Sequence, residues 1–362
     1  MNTSQRVRRA GLATVAALVI GGSGVAIGAA ATDSSASGTP AAATATQSPP
    51  VPAAATPGPA SYASVVRQVL PSVVLIRTEN GLGSGVVLDR SGNIVTNAHV
   101  AGSATKFQVQ VAGDTAPRSA RLVGTYPPDD LAVIRADDPS GLQPAKFGDS
   151  GKVQAGDVVL AIGYPLGLSG SVTQGIISAT DRAVTEPATD GSPAATLPGA
   201  IQTSAPINPG NSGGALVSAS GQVVGIPTLA AGSPQGGGQA QGIGFAIPSN
   251  LARDIATQII DTGHVTNSHR AAIGAEVATV LGPDGTAGGV GVVAVTSDGG
   301  AERAGLRAGD VITAIGGAQT TDTTALSQAL AAVKPGDTVT VTISRDGQDR
   351  SVQVTLGELP GS

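Results

Sequence analysis

Short runs of β-branched and aliphatic residues, broken at close intervals by Gly, Asn, Asp or Ser, constrain this chain more than any other feature. Ser72-Val73-Val74-Leu75-Ile76, Gly85-Val86-Val87-Leu88, Asn93-Ile94-Val95-Thr96, Phe107-Gln108-Val109-Gln110-Val111, Leu131-Ala132-Val133-Ile134, Asp157-Val158-Val159-Leu160-Ala161-Ile162 and Gln222-Val223-Val224-Gly225-Ile226 read as strands. Arg90-Ser91-Gly92-Asn93 and Ser218-Ala219-Ser220-Gly221 are turn signals between them. Gly and Ala dominate and helical patterns are scarce. Many short strands at close spacing predict an all-β sandwich or a pair of barrels. A helix is expected to close this region: Ser249 or Asn250 can cap it, Leu251, Ile255 and Ile259 recur along one face, and Gly263 suits its stop.

A second pattern starts near Arg270. Val290–Val295 and Asp310–Ile315 read as strands, Ala301–Leu306 as a short helical turn, and Leu326, Leu330 and Val333 as one face of a helix. Two further strands flank the turn Asp346-Gly347. These elements make one small domain of mixed strands and helices.

The N-terminus is unlike either region. Arg6, Arg8 and Arg9 precede an uncharged Ala/Gly/Val-rich run from Ala10 to Thr32, and Asp33 is the first acidic residue. A positive flank before about 20 apolar residues is the pattern of a signal peptide or of a signal anchor with its N-terminus in the cytoplasm. Ala29-Ala30-Ala31 suits a signal peptidase, and the run is also long enough to span a bilayer, so cleavage and retention both stay open. Either places the bulk of the chain outside the cytoplasm. From Asp33 to about Ala60 the composition is Ala, Thr, Ser and Pro, which cannot bury enough surface to offset ordering and reads as a disordered tether.

Chemistry concentrates in three segments: Thr96-Asn97-Ala98-His99-Val100, Asp129-Asp130-Leu131-Ala132-Val133 and Asn208-Pro209-Gly210-Asn211-Ser212-Gly213-Gly214. A base, a carboxylate and a hydroxyl are what nucleophilic acyl transfer needs, and His, Asp, Ser is the chymotrypsin-like chain order. His99 is the only His before Ser212, and the other two lie beyond the closing helix. Asp129 and Asp130 compete for the carboxylate role. Gly210 frees the backbone so that its N–H and that of Ser212 can face a developing oxyanion. The chain has no Cys and three His, with no His-Glu-x-x-His, so metal ligands are few and neither a metal nor another cofactor is expected. A net charge of −5 without a basic cluster past the first residues argues against nucleic acid as a partner.

From about Tyr62 to its end the chain resembles the HtrA/Deg family of serine proteases. The resemblance rests on the three segments above with Gly163-Tyr164-Pro165, Val172-Thr173-Gln174-Gly175-Ile176-Ile177-Ser178, Gly242-Ile243-Gly244-Phe245-Ala246-Ile247-Pro248 and Ala308-Gly309-Asp310-Val311-Ile312. It implies a mainly β architecture: a chymotrypsin-like double β-barrel over residues 61–263, then a small α+β PDZ domain over 270–358. Residues 1–9 would be a cytoplasmic basic segment, 10–32 the transmembrane anchor or signal peptide, and 33–60 the linker. The resemblance assigns the carboxylate to Asp130, the specificity pocket to Ile207 with Ile226, Thr228 and Leu229, and capture of a peptide C-terminal carboxylate to Ala272, Ile273, Gly274 and Ala275. An aliphatic wall at Ile207 implies small apolar side chains such as Val or Ala in the substrate.

Three further features follow from the same likeness. Tyr62 matches an aromatic that packs three protease domains around an axis, which implies a homotrimer. Gly232–Gly242 stands where the family has a pocket loop that orders on activation. Thr203-Ser204-Ala205 departs from the family's Thr-Asp-Ala. The function implied is cleavage of unfolded or misfolded envelope proteins, as in quality control and stress response, with peptide C-termini bound at the PDZ domain. A catalytically silent, envelope-anchored PDZ scaffold is the alternative, and His264 and His269 are read as linker residues.

Overall fold

The β-branched runs pair into two closed antiparallel barrels in this computed structural model, which describes residues 61–79, 81–164, 170–186, 195–208, 210–232, 239–282 and 285–360. After helix α1 (Tyr62–Val69) come β1 (Val73–Arg77), β2 (Leu82–Val87), β3 (Asn93–Thr96), the single-turn helix α2 (Ala98–Ala101), β4 (Lys106–Val111), β5 (Arg118–Tyr126) and β6 (Leu131–Ala136). They close in the order β1-β2-β3-β6-β5-β4. The second barrel contains β7 (Val158–Gly163), β8 (Ser171–Glu186), β9 (Ala195–Thr203), β10 (Ala215–Ser218), β11 (Val223–Gly232) and β12 (Gln239–Pro248), in the order β10-β11-β12-β9-β8-β7.

Why the strands read as unbroken apolar runs is clear from where alternate side chains go. Val74 and Ile76 of β1 fill the first barrel with Ile94, Phe107, Val109 and Ile134. Their neighbours Val73 and Leu75 point the other way, into the seam between barrels, against Val86, Val95, Leu160 and Ile162. Strands buried on both faces have no use for a polar alternate. β7 repeats the division, with Val159 and Ala161 inside its own barrel and Leu160 and Ile162 in the seam. Each such side chain contributes about 1.5–3 kcal/mol by burial. Helix α3 (Ser249–Thr262) seals the seam with Ala252, Ile255, Ala256 and Ile259 and stops at Gly263 in the left-handed region (φ 82°).

The segment after α3 builds its own layer. It contains β13 (Ala271–Ala272), β14 (Ala275–Leu281), β15 (Ala287–Val295), α4 (Gly300–Arg303), β16 (Val311–Ile315), β17 (Ala318–Gln319), α5 (Thr323–Ala331), β18 (Thr338–Arg345), β19 (Gln348–Thr355) and β20 (Gly357–Glu358). The main sheet runs β14-β15-β16-β18-β19, so β14 is an edge strand, and β13 pairs with β20. Its core joins Val290, Ile312, Val341, Ile343 and Val354 to Leu326 of α5. Asp346 and Gly347 both take positive φ (55° and 75°), as a tight hairpin between β18 and β19 requires.

Some expectations change. Pro248, not Ser249 or Asn250, caps α3, because the Ser249 hydroxyl donates across the molecule to the Gly148 carbonyl at 2.9 Å. Across Gly232–Gly242, β11 and β12 run on as a hairpin as far as the pair Gly232↔Gln239, and residues 233–238 lie outside the described residues. The anchor or signal segment 10–32 and the tether 33–60 also lie outside them. Among the described residues no helix is long and apolar enough to cross a membrane.

The seam also sets a steric limit. A Cβ on Gly213 (φ 78°) would lie 2.2 Å from the Ser84 carbonyl oxygen on β2 and 2.4 Å from the Thr96 hydroxyl on β3. Gly213→Ala must push the barrels apart and force a left-handed alanine, for roughly 2–4 kcal/mol together. Thermal unfolding should show the midpoint well below wild type; an unchanged midpoint would contradict the packing described.

Candidate active site

β3 ends at Thr96, and the chain turns through Asn97 into α2, which carries His99. Facing it, the 3-10 turn Pro127–Asp129 delivers Asp130 to the start of β6 in a left-handed conformation (φ 51°, ψ 43°). Asp130 is 1% exposed. Its Oδ1 accepts the His99 backbone N–H at 2.9 Å, and its Oδ2 lies 2.8 Å from His99 Nδ1. The Thr228 hydroxyl donates to the same Oδ2 at 2.6 Å. An ionised carboxylate only accepts, so this contact holds the proton on Nδ1 and leaves Nε2 as the imidazole's acceptor. Hydrogen bonds to a charged group are worth about 1.5–3 kcal/mol each, enough to hold both rings of contact in one geometry.

Ser212 stands on the loop between β9 and β10. Its hydroxyl donates to the Thr228 carbonyl at 3.1 Å. Thr228 therefore touches both partners, with its side chain on Asp130 and its carbonyl on Ser212. The backbone around the serine is pinned by Ser84 of β2, which is fully buried. Ser84 N–H donates to the Ser212 carbonyl at 2.9 Å. Its hydroxyl donates to the Gly210 carbonyl at 2.5 Å and accepts the Tyr164 N–H at 2.8 Å. Gly210 takes φ 104°, which a residue with a Cβ adopts only under strain. A buried carboxylate on an imidazole, with a hydroxyl nearby, is the arrangement that makes a hydroxyl nucleophilic.

The adjacent carboxylate points away. Asp129 is fully buried and pairs with Arg270 Nη1 at 2.9 Å. Burial pushes its carboxyl up to about 6, the guanidinium opposing the shift. Neighbouring Tyr126 is likewise pushed up to about 12 by burial. Of the two candidates, the geometry sets Asp130 against His99.

The other positions singled out in the sequence are spread more widely. Ile207 is 5% exposed and packs in the second barrel's core against Gly244. Ile226 is fully buried in the seam with Val223 while Val224 lies in the barrel core, a change of side that accompanies the register shift in the β10–β11 pairing. The Thr228 hydroxyl donates to Asp130, and the side chain of Leu229 lies outside the described residues. Ser204 accepts the Ile176 N–H at 3.0 Å and so ties its loop to β8. In the C-terminal domain Ala272 and Ile273 are buried, the Ile273 carbonyl accepts from Ala301 N–H at 2.7 Å, and Gly274 turns the chain at φ 76° into Ala275 and the β14 edge. His264 and His269 are exposed, with His269 Nε2 3.1 Å from Asp254 Oδ2. Among the described residues no cluster of three or more His, Cys, Asp or Glu could hold a metal ion.

The roles of Thr228 and Ser84 as supports had no signal in the sequence. Each acts through a partner about 100 residues away in the chain, at separations of 98 and 126.

Comparison with known proteins bears on this site. Residues 83–226 match the trypsin-like peptidase domain family and residues 265–356 the PDZ domain family. Serine protease PepD of Mycobacterium tuberculosis is 40% identical over 319 residues, covering 83% of this chain and 67% of that protein. Serine endoprotease DegS of Salmonella typhimurium is 35% identical, with 84% and 88% covered. Against periplasmic serine endoprotease DegP of Escherichia coli the match is 38% identical and spans 76% of this chain but 56% of the relative. The crystal structure of the serine endoprotease from Yersinia pestis superposes with a TM-score of 0.55 at 37% identity, over 83% of this chain and 99% of the other. The HtrA-type protease AlgW, solved with a decapeptide, gives a TM-score of 0.55 at 34% identity, over 83% and 99%. The double barrel, the imidazole on a buried carboxylate that Thr228 links to the Ser212 hydroxyl, and these likenesses agree: the chain belongs to the HtrA family of serine endopeptidases, with a trypsin-like protease domain followed by one PDZ domain.

Proposed function

We propose that this chain hydrolyses peptide bonds in unfolded or misfolded proteins of the bacterial cell envelope, with Ser212 as nucleophile, His99 as general base and Asp130 as the group that holds the imidazole. The observation that carries this reading is the continuous contact from His99 through Asp130 and Thr228 to Ser212. As substrate enters, rotation at Ser212 takes its hydroxyl from the Thr228 carbonyl to His99 Nε2. His99 accepts the proton while Oγ attacks the scissile carbonyl, and Asp130 stabilises the imidazolium. The Gly210 and Ser212 amides receive the oxyanion. His99 then protonates the leaving amine, and water repeats the sequence on the acyl-enzyme.

The substrate preference proposed rests on the family likeness at Ile207, where an aliphatic wall suits a small apolar side chain such as Val or Ala. The β14 edge behind the Ile273-Gly274 turn, with α5 alongside, offers a peptide C-terminus backbone pairing and a carboxylate-binding turn. Relatives named as periplasmic, with the basic flank before residues 10–32, support a protease outside the cytoplasm that is membrane-anchored or released by cleavage.

Ser212→Ala should fold as wild type and lose cleavage of an unfolded protein by about 10³-fold or more. A peptide phosphonate should label wild type at Ser212 only, and an unlabelled protein would favour a scaffold. In wild type the rate on a slow peptide should rise with pH as imidazole, ordinarily near 6.5, loses its proton. A flat profile with chemistry rate-limiting would contradict the base role of His99.

The trimer rests on an exposed face. Tyr62 is 40% exposed, and its hydroxyl accepts from Gln174 of β8, whose outward neighbours Val172 and Ile176 are 37% and 42% exposed. Burying this patch around a three-fold axis removes an apolar surface from water. Sedimentation of residues 61–362 at micromolar concentration should give a trimer that Tyr62→Ala weakens by about tenfold or more in association. A wild-type monomer would refute it.

A further inference from the structure

Asp129 and Asp130 are consecutive, both buried, and turned to opposite sides. Asp130 faces His99 and Thr228; Asp129 faces Arg270, the residue that leads into β13. The turn that carries them begins Pro127-Pro128, and neither proline has an N–H to donate. The two prolines leave their carbonyls, with the Asp129 side chain, as handles by which the turn can be tied down from outside. Arg270 takes both: Nη1 donates to the Pro128 carbonyl and, at 2.9 Å, to Asp129 Oδ1. On the far side, Ala98 N–H and Asn97 Nδ2 donate to the Asp130 carbonyl at 3.0 and 3.1 Å. Between these two sets of contacts Asp130 is held in a left-handed conformation that a non-glycine residue keeps only when its surroundings impose it.

Arg270 is itself firmly placed. Its carbonyl accepts the Leu359 N–H at 2.7 Å, its N–H donates to the Ser268 hydroxyl at 3.3 Å, and the next residues pair with β20. The preceding His269 donates its N–H to Glu358 Oε1 at 2.6 Å and sets its ring against Asp254. The guanidinium is thus carried by the C-terminal domain's own sheet, yet only 11% of its side chain is exposed, and it ends under the catalytic turn. The ion pair is a poor stabiliser. Asp129 Oδ2 has no hydrogen-bond partner, and burial holds the Asp129 carboxyl well above the usual carboxylate range although Arg270 and His269 oppose the shift. What the pair does supply is geometry.

We propose that Arg270 is a positioning residue for peptide hydrolysis: by holding the Pro127–Asp129 turn from the C-terminal domain, it sets the Asp130 carboxylate against His99. The proposal rests on the assignment of Asp130, His99 and Ser212 given above. Through it the boundary of the catalytic unit extends beyond the protease barrels to the first residue of the β13 segment.

The test uses the full chain, with active sites counted by phosphonate titration so that misfolded protein does not enter the rate. Arg270→Gln should lower kcat per active site by about tenfold or more while KM changes by less than about threefold. The acid limb of kcat/KM should move to lower pH, because an imidazolium with a displaced carboxylate is less stabilised. Arg270→Lys, which keeps the charge but reaches one acceptor, should show both effects at smaller size and serves if the glutamine variant does not fold. A kcat per active site and an acid limb equal to wild type in Arg270→Lys, with only the active fraction reduced, would overturn the proposal by showing a purely structural role. Ser212→Ala is assayed in parallel. If it still cleaves, the catalytic assignment fails; if it is inactive while both Arg270 variants match wild type, only the positioning role fails.

Discussion

One buried carboxylate ties the proposed catalytic residues together. Asp130 takes hydrogen bonds from the His99 backbone, the His99 ring and the Thr228 hydroxyl, and these come from both barrels: α2 in the first, β11 in the second. Removing a charged acceptor from such a site leaves buried donors unpaired, which costs more than the bonds gained in forming it. The relative placement of the barrels is therefore part of the chemistry. Apolar burial brings them together through Val73, Leu75, Leu160 and Ile162, and the polar contacts at Asp130 then fix how they meet.

Ser84 completes that register from the other side. Its amide and hydroxyl hold the Ser212 and Gly210 carbonyls, so a first-barrel strand sets the backbone of the second-barrel loop that carries Ser212. Gly213 makes this close approach possible because it has no Cβ to strike the Ser84 carbonyl. The C-terminal domain adds a third support through Arg270 beneath the Pro127–Asp129 turn. On the proposed assignment, the C-terminal domain is more than a tether for peptides, since Arg270 holds the turn that precedes Asp130.

The strands that sequence made legible are those with continuous β-branched runs, such as β1, β3, β6 and β7, where burial on both faces leaves a strong signal. β5 was missed because Arg118, Ser119, Arg121 and Gly124 dilute its pattern. β8 and β9 were hidden by bulges and by Asp181, Pro198 and Gly199, which read as turn residues and here sit in long bent strands. His99 and Ser212 were legible as types in a motif, and the choice of Asp130 over Asp129 needed the family resemblance. What turned the two carboxylates apart is a left-handed residue after a Pro-Pro turn, and the partner of Asp129 lies 141 residues away. No local pattern encodes such a contact.

The most direct test of the account is a crystal structure of the protein inhibited with a peptide phosphonate. The account predicts phosphorus bonded to Ser212 Oγ, a phosphonyl oxygen about 3 Å from the Gly210 and Ser212 amide nitrogens, and the Asp130 carboxylate still on His99 Nδ1 with Asp129 on Arg270. A phosphonyl oxygen turned away from those amides, or Asp129 in place of Asp130 beside His99, would contradict it.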